Sequence, residues 1–313
     1  MEMRQEMATA AAAVLSALSD EQMALGHLGY PVDSARRSLE YRPRPRPGIS
    51  LADLTPKARK AAHRLLATGL SSHAFAQAMA VLALEEVLDR AEGWARGRHS
   101  DDYWVAIFGN PAEDQWAWRF EGHHLSVNVA VQDGEVFATP MFFGANPATV
   151  SYAGRPVLRP LAPEEDLARA LLDGMGPHNR REAIVREQAP IDIHSGPSPQ
   201  APEAIEPYGI SSSKLDHTSR TLLRHLTDLY FSRLPEALAA KELERLDSEE
   251  LHFAWEGPTQ PGVRHYYRIQ APDLLIEYDN TSDDANHVHT VVRKPASDFG
   301  GNPLATHRAN HHA

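Results

Sequence analysis

The segment Asn286-His287-Val288-His289 sets two imidazoles at positions i and i+2. On a β-strand such residues point to the same side, close enough for both rings to reach one metal ion. On the preceding apolar-rich stretch Leu275, Glu277 and Asp279 would share a face, and His265, Tyr267 and Ile269 would share one on the stretch before that. If the three are sequential antiparallel strands, Glu277 or His265 converges on the His-x-His pair. Two histidines and a carboxylate form a usual ligand set for iron, manganese or zinc, with positions left for substrate or water. A plainer reading uses the same residues: the rings hydrogen-bond to Asp279, Asp283 and Asp284 and only rigidify a loop.

A second constellation is Glu121-Gly122-His123-His124-Leu125-Ser126-Val127-Asn128. Strand alternation puts His124, Ser126 and Asn128 on one side and His123, Leu125 and Val127 on the other. His124 or His123 would be a third nitrogen ligand or a general acid–base. A core histidine satisfied by a carbonyl fits equally well. Gly122 permits close backbone approach or positive φ.

In the metal reading His287, His289, Glu277 and His265 are the candidate ligands, and Glu277, His124 and Arg268 the candidate catalytic groups. His123, Asn128, Trp255, Tyr267, Asn286 and Arg293 are the candidate substrate contacts. Trp118 and Tyr266 would add aromatic lining, and Arg268 or Arg293 would pair with an anionic substrate. Other motifs are weaker. Asp298-Phe299-Gly300 matches three letters of a kinase motif without its partner motifs, which excludes a kinase. Ser211 and Lys214 have Ser-x-x-Lys spacing but read as a polar turn. His311 and His312 fall in a tail.

Elements must position these groups. Residues 4–25 predict one helix. The Arg-Pro repeat of residues 42–47 cannot be helical and predicts a stiff extended connector, although it would also suit an acidic partner. Thr55-Pro56 predicts a helix start, Gly69 its end, and a second helix follows from Ser71 or Ser72 to about Asp89, the two packed as a hairpin. On that second helix Phe75, Met79 and Leu82, with Glu86, predict a core-facing stripe. Tyr103–Phe108, Trp116–Phe120, His124–Val131 and Glu135–Phe143 read as strands, the last two as a hairpin across Asp133-Gly134. Helices are predicted over Leu161–Gly174, Asn179–Glu187 and Ser219–Leu246, the last broken near Pro235. Pro190 to Pro207 reads as a long surface loop or boundary. Leu251–Trp255, His265–Gln270, Leu274–Tyr278 and Val288–Arg293 complete an antiparallel sheet. The class is α+β: a helical part over 1–100, a strand-rich part with helices over 101–190, the loop over 190–208, and a helix plus sheet over 209–313. Both β regions are expected in one mixed core within a single domain.

Composition narrows the chemistry. The absence of cysteine in 313 residues removes disulfides, thiolate ligands and cysteine nucleophiles. Any metal is then held by nitrogen and oxygen. A net charge of −11, from 31 basic and 42 acidic side chains, argues against general nucleic-acid binding. Of 17 histidines, seven lie at or after position 252. No apolar run reaches the ~18 residues that a membrane span requires. The Ala-rich N-terminus follows Glu2 and Glu6 rather than a basic region, so it reads as an amphipathic helix and the expected location is cytoplasmic.

The chain resembles the family known as domain of unknown function 3500. The residues that carry the resemblance are Trp118 to Asn128, Pro140 to Pro147, Phe253-Ala254-Trp255-Glu256-Gly257, His265 to Ile269, Ile276 to Asn280 and Ala285 to Val291, with Leu54-Thr55 and the Leu70-Ser71-Ser72 turn. This chain departs from the family pattern at Ser282, where Gln is expected, and at Val292-Arg293-Lys294, where Trp-Arg-Asp is expected. Asn302 stands for an Asp, while His307 matches. The resemblance brings no settled activity; it implies that the polar residues of these blocks belong to a shared pattern. The sequence therefore points to a metal-dependent enzyme acting on a small molecule, foremost a non-haem iron oxidoreductase, with zinc or manganese as other metals. A metal-dependent hydrolase with Glu277 as base, or a non-catalytic ligand-binding protein, are the alternatives.

Overall fold

Capping residues set the helix boundaries. In the computed structural model, which describes residues 2–30, 35–201 and 206–301, the first expected helix is two. Helix α1 spans Glu2–Leu15 and α2 spans Asp20–Gly26, because Ser19 and Gln22 form a reciprocal capping box that starts a new helix. Thr55 caps α3 (Pro56–Thr68) with Pro56 in its first turn, and Ser71 caps α4 (Ser72–Ala91). Helix α3 lies chiefly along α1 rather than pairing closely with α4. On α4 the buried residues are Ala74, Ala78, Val81, Leu82, Leu84, Glu85, Leu88 and Asp89, so Phe75 and Met79 sit at their edge and Glu86 is exposed. Later helices are α5 (Ala162–Gly174), α6 (Pro177–Ala183), α7 (His217–Phe231) and α8 (Glu236–Leu246), the last two separated at Pro235 as expected.

The strands are β1 (His27–Leu28), β2 (Ile49–Ser50), β3 (Tyr103–Gly109), β4 (Gln115–Gly122), β5 (Leu125–Gln132), β6 (Glu135–Phe137) and β7 (Met141–Ala145). A separate hairpin, β8 (Val150–Tyr152) and β9 (Arg155–Leu158), follows. Then come β10 (Ile184–Arg186), β11 (Ile210–Ser211), β12 (His252–Glu256), β13 (Tyr266–Ala271), β14 (Leu274–Ser282) and β15 (His287–Arg293). The two β regions join in one mixed sheet of order β1-β3-β4-β5-β7-β15-β14-β13-β12-β10. The junction is the antiparallel pair β7–β15, which places His289 beside Gly144. The fold is α+β.

Alternation along these strands separates two faces, both buried. Trp116, Trp118, Phe120, Val127, Phe143, Val288, Ile276, Tyr278, Tyr267 and Trp255 point to the helices and form the main apolar core. The other face carries Arg119, Glu121, Ser126, Asn128, His289, Glu277, Asp279 and Tyr266, nearly all inaccessible to solvent. Its cover is not helical. Residues 35–48 and 187–201 cross it as two irregular straps, anchored by Leu39, Tyr41 and Ile193 against Phe142 and Val291. Residues 190–201 of the stretch expected as a surface loop or boundary therefore run along the sheet. Burying so many polar groups is costly unless each is paired, which makes this face the place to look for function. No helix among the described residues is long and apolar enough to cross a membrane.

Candidate metal centre

Three histidines meet where β7 and β15 join the β4–β5 hairpin. Strand β4 ends at Gly122 and β5 starts at Leu125, so His123 and His124 form the turn rather than part of a strand. His124 takes a positive φ of 62°. Its N–H donates to the Tyr41 carbonyl at 3.1 Å, and its carbonyl accepts from the Gly144 N–H at 2.7 Å. Two glycines give the turn room. A Cβ on Gly122 would lie 2.1 Å from the Tyr103 ring, and one on Gly144 would lie 2.9 Å from the His124 ring and 2.8 Å from the Val288 carbonyl. Close approach, not positive φ, is what Gly122 provides.

His124 Nε2 lies 2.7 Å from His287 Nε2. The ring centroids of His287 and His289 are 4.7 Å apart, and those of His124 and His289 are 5.5 Å apart. A nitrogen from each ring falls within 4.8 Å of the other two, a spacing that one metal ion can span. Each ring of the β15 pair is backed by carboxylate. His287 Nδ1 is 2.8 Å from Asp283 Oδ2, while His289 Nδ1 is 3.0 Å from Asp192 Oδ1 and 3.3 Å from Asp279 Oδ2. A carboxylate acceptor requires the proton on Nδ1, which on a neutral ring leaves Nε2 with its lone pair. Asp192 is in turn held by the Tyr41 hydroxyl, which donates to its Oδ2 at 2.9 Å. Asp283 reaches His287 from a strained turn in which Asp283, Asp284 and Ala285 all have positive φ, of 49°, 53° and 65°.

Electrostatics divide the three rings. Burial, and then the neighbouring His123, His287 and His289, hold the His124 imidazole well below its usual range. Burial and His289 lower His287 to about 4. Burial also opposes charge on His289, but Asp279 and Asp192 outweigh it and raise that ring to about 10. The site thus pairs two neutral imidazoles with a third whose surroundings favour positive charge.

Behind the turn, the His123 ring lies against His124, tilted by 32° with centroids 3.6 Å apart, and its Nδ1 is 2.5 Å from Glu85 Oε1 on α4. Glu85, His123 and His124 form a second group with metal-ligand spacing. A cavity of about 820 Å³ lined by residues 187–191, Val263, Arg264 and 281–285 opens beside Asp283.

Several residues singled out in the sequence lie elsewhere. The β14–β15 register sets Asp279, not Glu277, opposite His289; Glu277 faces Val291. Its oxygens accept from the Tyr266 hydroxyl at 2.8 Å and the Ser195 N–H at 3.2 Å, so it is a strap anchor and not placed as a ligand or base here. His265 is on the helix face, stacked between Trp255 at 4.4 Å and Tyr278 at 5.3 Å. Trp255 and Tyr267 share that face, and the Tyr267 hydroxyl bonds Tyr230 at 2.6 Å. Trp118 packs there too. Arg293 is fully buried against Asp298 at 2.8 Å and the Ser198 carbonyl, which removes it from any substrate. Arg268 lies over the Tyr208 ring and opposite Glu277. Asn128 donates to Ser126 and to the Pro140 carbonyl, on the same face as His289 but bound into the sheet. Asn286 accepts from the Thr149 N–H at 2.8 Å, tying the chain to the turn before His287. Asn302, His307, His311 and His312 lie outside the described residues.

Asp192, Glu85 and Tyr41 were not singled out in the sequence. Glu85 carried a signal, an acid that with Asp89 interrupts the apolar face of α4. Asp192 and Tyr41 carried none, because both belong to irregular straps without a period. The family described as protein of unknown function (DUF3500) matches residues 2–301. The chain belongs to that family. No curated protein and no solved structure matches it. In this DUF3500 member the Gly122–Asn128, Pro140–Pro147, Ile276–Asn280 and Ala285–Val291 blocks are neighbours in the sheet, and their common ground is the three-histidine cluster.

Proposed function

We propose that this protein is a metal-dependent enzyme acting on a small molecule, with His124, His287 and His289 holding a divalent ion. Three imidazoles suit iron, zinc or manganese, and oxidation or reduction is the reaction class we put first, with iron as its metal. The observation that carries this reading is the backing of two converging imidazoles by Asp283, Asp192 and Asp279, which favours a proton on each Nδ1 and leaves Nε2 as the ligand atom, free on neutral His287 and released on His289 when the ion displaces its proton. Ligand nitrogens around one ion are about 3.0–3.4 Å apart, given metal–nitrogen distances near 2.1 Å. The 2.7 Å separation of His124 and His287 therefore has to open by roughly half an ångström, a small shift for a turn residue. Two carboxylates that favour a proton on His289 favour a metal cation in its place equally. Once bound, the ion supplies a redox couple or a Lewis acid, and three protein ligands leave positions for substrate and water.

A second reading rests on the same His289. Charged between Asp192 and Asp279, it makes a buried ion network that needs no metal and serves a ligand-binding protein. Equilibrium dialysis of chelator-stripped, untagged protein against Fe²⁺, Mn²⁺ and Zn²⁺ separates the two. One ion per chain in wild type, lost in a His287→Ala/His289→Ala variant, supports the enzyme. Equal uptake by both, or none by either, removes it. Iron retention with substrate-dependent oxygen uptake favours the oxidoreductase, whereas zinc retention favours a hydrolase.

A further inference from the structure

A second cavity, of about 410 Å³, lies on the far side of His123. That volume suits a small molecule. Its walls bring together the Arg-Pro repeat and the loop after α4: Arg44 and Arg46 from one, Arg96 and Arg98 from the other, with Trp104 of β3 between them. Four guanidinium groups facing one cavity are unusual in a chain of net charge −11. The acids in the wall are Glu85 and Asp102, and Glu85 is already engaged by His123. Arg98 is nearly buried, oriented by Glu92 at 3.0 Å, with Nη1 3.4 Å from His123 Nδ1 and 3.8 Å from Glu85 Oε2. Arg46 is locked to Glu121 and to backbone carbonyls, and its guanidinium carbon sits 5.4 Å from the Trp104 ring centroid. Arg44 and Arg96 are themselves exposed, and their contacts to the half-buried Glu40 at 4.0 Å and Glu92 at 3.4 Å are weak ones that a ligand can replace. Pro43, Pro45 and Trp104 supply apolar wall beside these charges.

We infer that this cavity binds a small organic carboxylate with a flat apolar body, its carboxylate on Arg98 with Arg44 or Arg96 and its ring against Trp104. A forked guanidinium matches a carboxylate in two parallel hydrogen bonds, and an indole face favours a planar group. The ligand would touch His123, whose ring lies against that of His124. That this ligand is the substrate rests on the metal-centre reading; that the cavity binds it does not.

Isothermal titration of chelator-stripped protein with benzoate, benzyl alcohol and inorganic phosphate tests the inference independently of metal. Benzoate is expected to bind wild type at least about tenfold more tightly than either of the others. Arg98→Gln, and separately the surface pair Arg44→Gln/Arg96→Gln, should each weaken benzoate by about tenfold. The surface pair keeps the test valid if Arg98→Gln does not fold. No benzoate binding by wild type, equal binding of benzyl alcohol or phosphate, or an unchanged affinity in the surface pair would each overturn the inference. A protein that binds benzoate yet takes up no metal would leave the pocket standing and remove the metal centre.

Discussion

His289 holds the balance of the site. Its ring sits between two carboxylates and takes a proton up to about pH 10, whereas His124 and His287 are neutral at pH 7. Metal binding must displace that one proton, so affinity rises with pH by about tenfold per unit between pH 5 and pH 9. A competition titration at several pH values measures this slope, and a flat profile would mean that His289 is not a ligand. Asp279→Asn removes the charge facing His289 and should weaken metal binding by about 10–100-fold while leaving the sheet folded. Gly144→Ala should also weaken it, because a Cβ there meets the His124 ring at 2.9 Å. Its effect on affinity is expected to exceed that of Gly93→Ala, where nothing lies within 4 Å.

At the level of elements, the straps do what helices do on the other face. Residues 187–201 are fastened through Asp192 to His289 and Tyr41, and through the Ser195 N–H to Glu277. Asp192→Asn weakens the first fastening. Limited proteolysis should then cut within 187–201 faster than in wild type, with the β-strands still protected from amide exchange. Equal cutting rates would show that the strap is held without the histidine. The same elements explain what the sequence disclosed. Alternation in His287-Val288-His289 told which residues share a side, and the turn block at His124 was visible as a polar break between strands. Which carboxylate meets the pair was not visible, because the β14–β15 register shifts between Asp279 and Ser282 and brings Asp279 opposite His289. Alternation also fails to say which face is which when both are buried. Trp255, Tyr267 and His265 therefore looked like site residues, yet they line the helix side.

For the whole molecule, one sheet with an apolar face under helices and a polar face under straps must keep its buried titratable groups in their chosen states. Burial, and then Arg169, lower His265 to about 4, below the unfolded value of about 6.5. The unfolded chain takes up this proton first, so stability falls as pH drops from about 6.5 to 4, by about 3 kcal/mol for this group alone. His287 adds loss in the same window, while His289, with a raised value, contributes stability below pH 6.5 that fades as pH rises toward 10. Urea unfolding of metal-free protein at pH 7 and pH 5 should show the loss, and His265→Phe should reduce it; an unchanged difference would mean that His265 is charged in the fold.

At every scale the proposed function depends on a metal centre of three histidines drawn from a hairpin turn and a single strand. Anomalous diffraction from iron- or zinc-loaded crystals of the untagged protein tests it most directly. One peak is expected within about 2.0–2.2 Å of imidazole nitrogens of His124, His287 and His289. A peak placed instead at Glu277 or His265, or no peak at the three rings in metal-loaded protein, would contradict it.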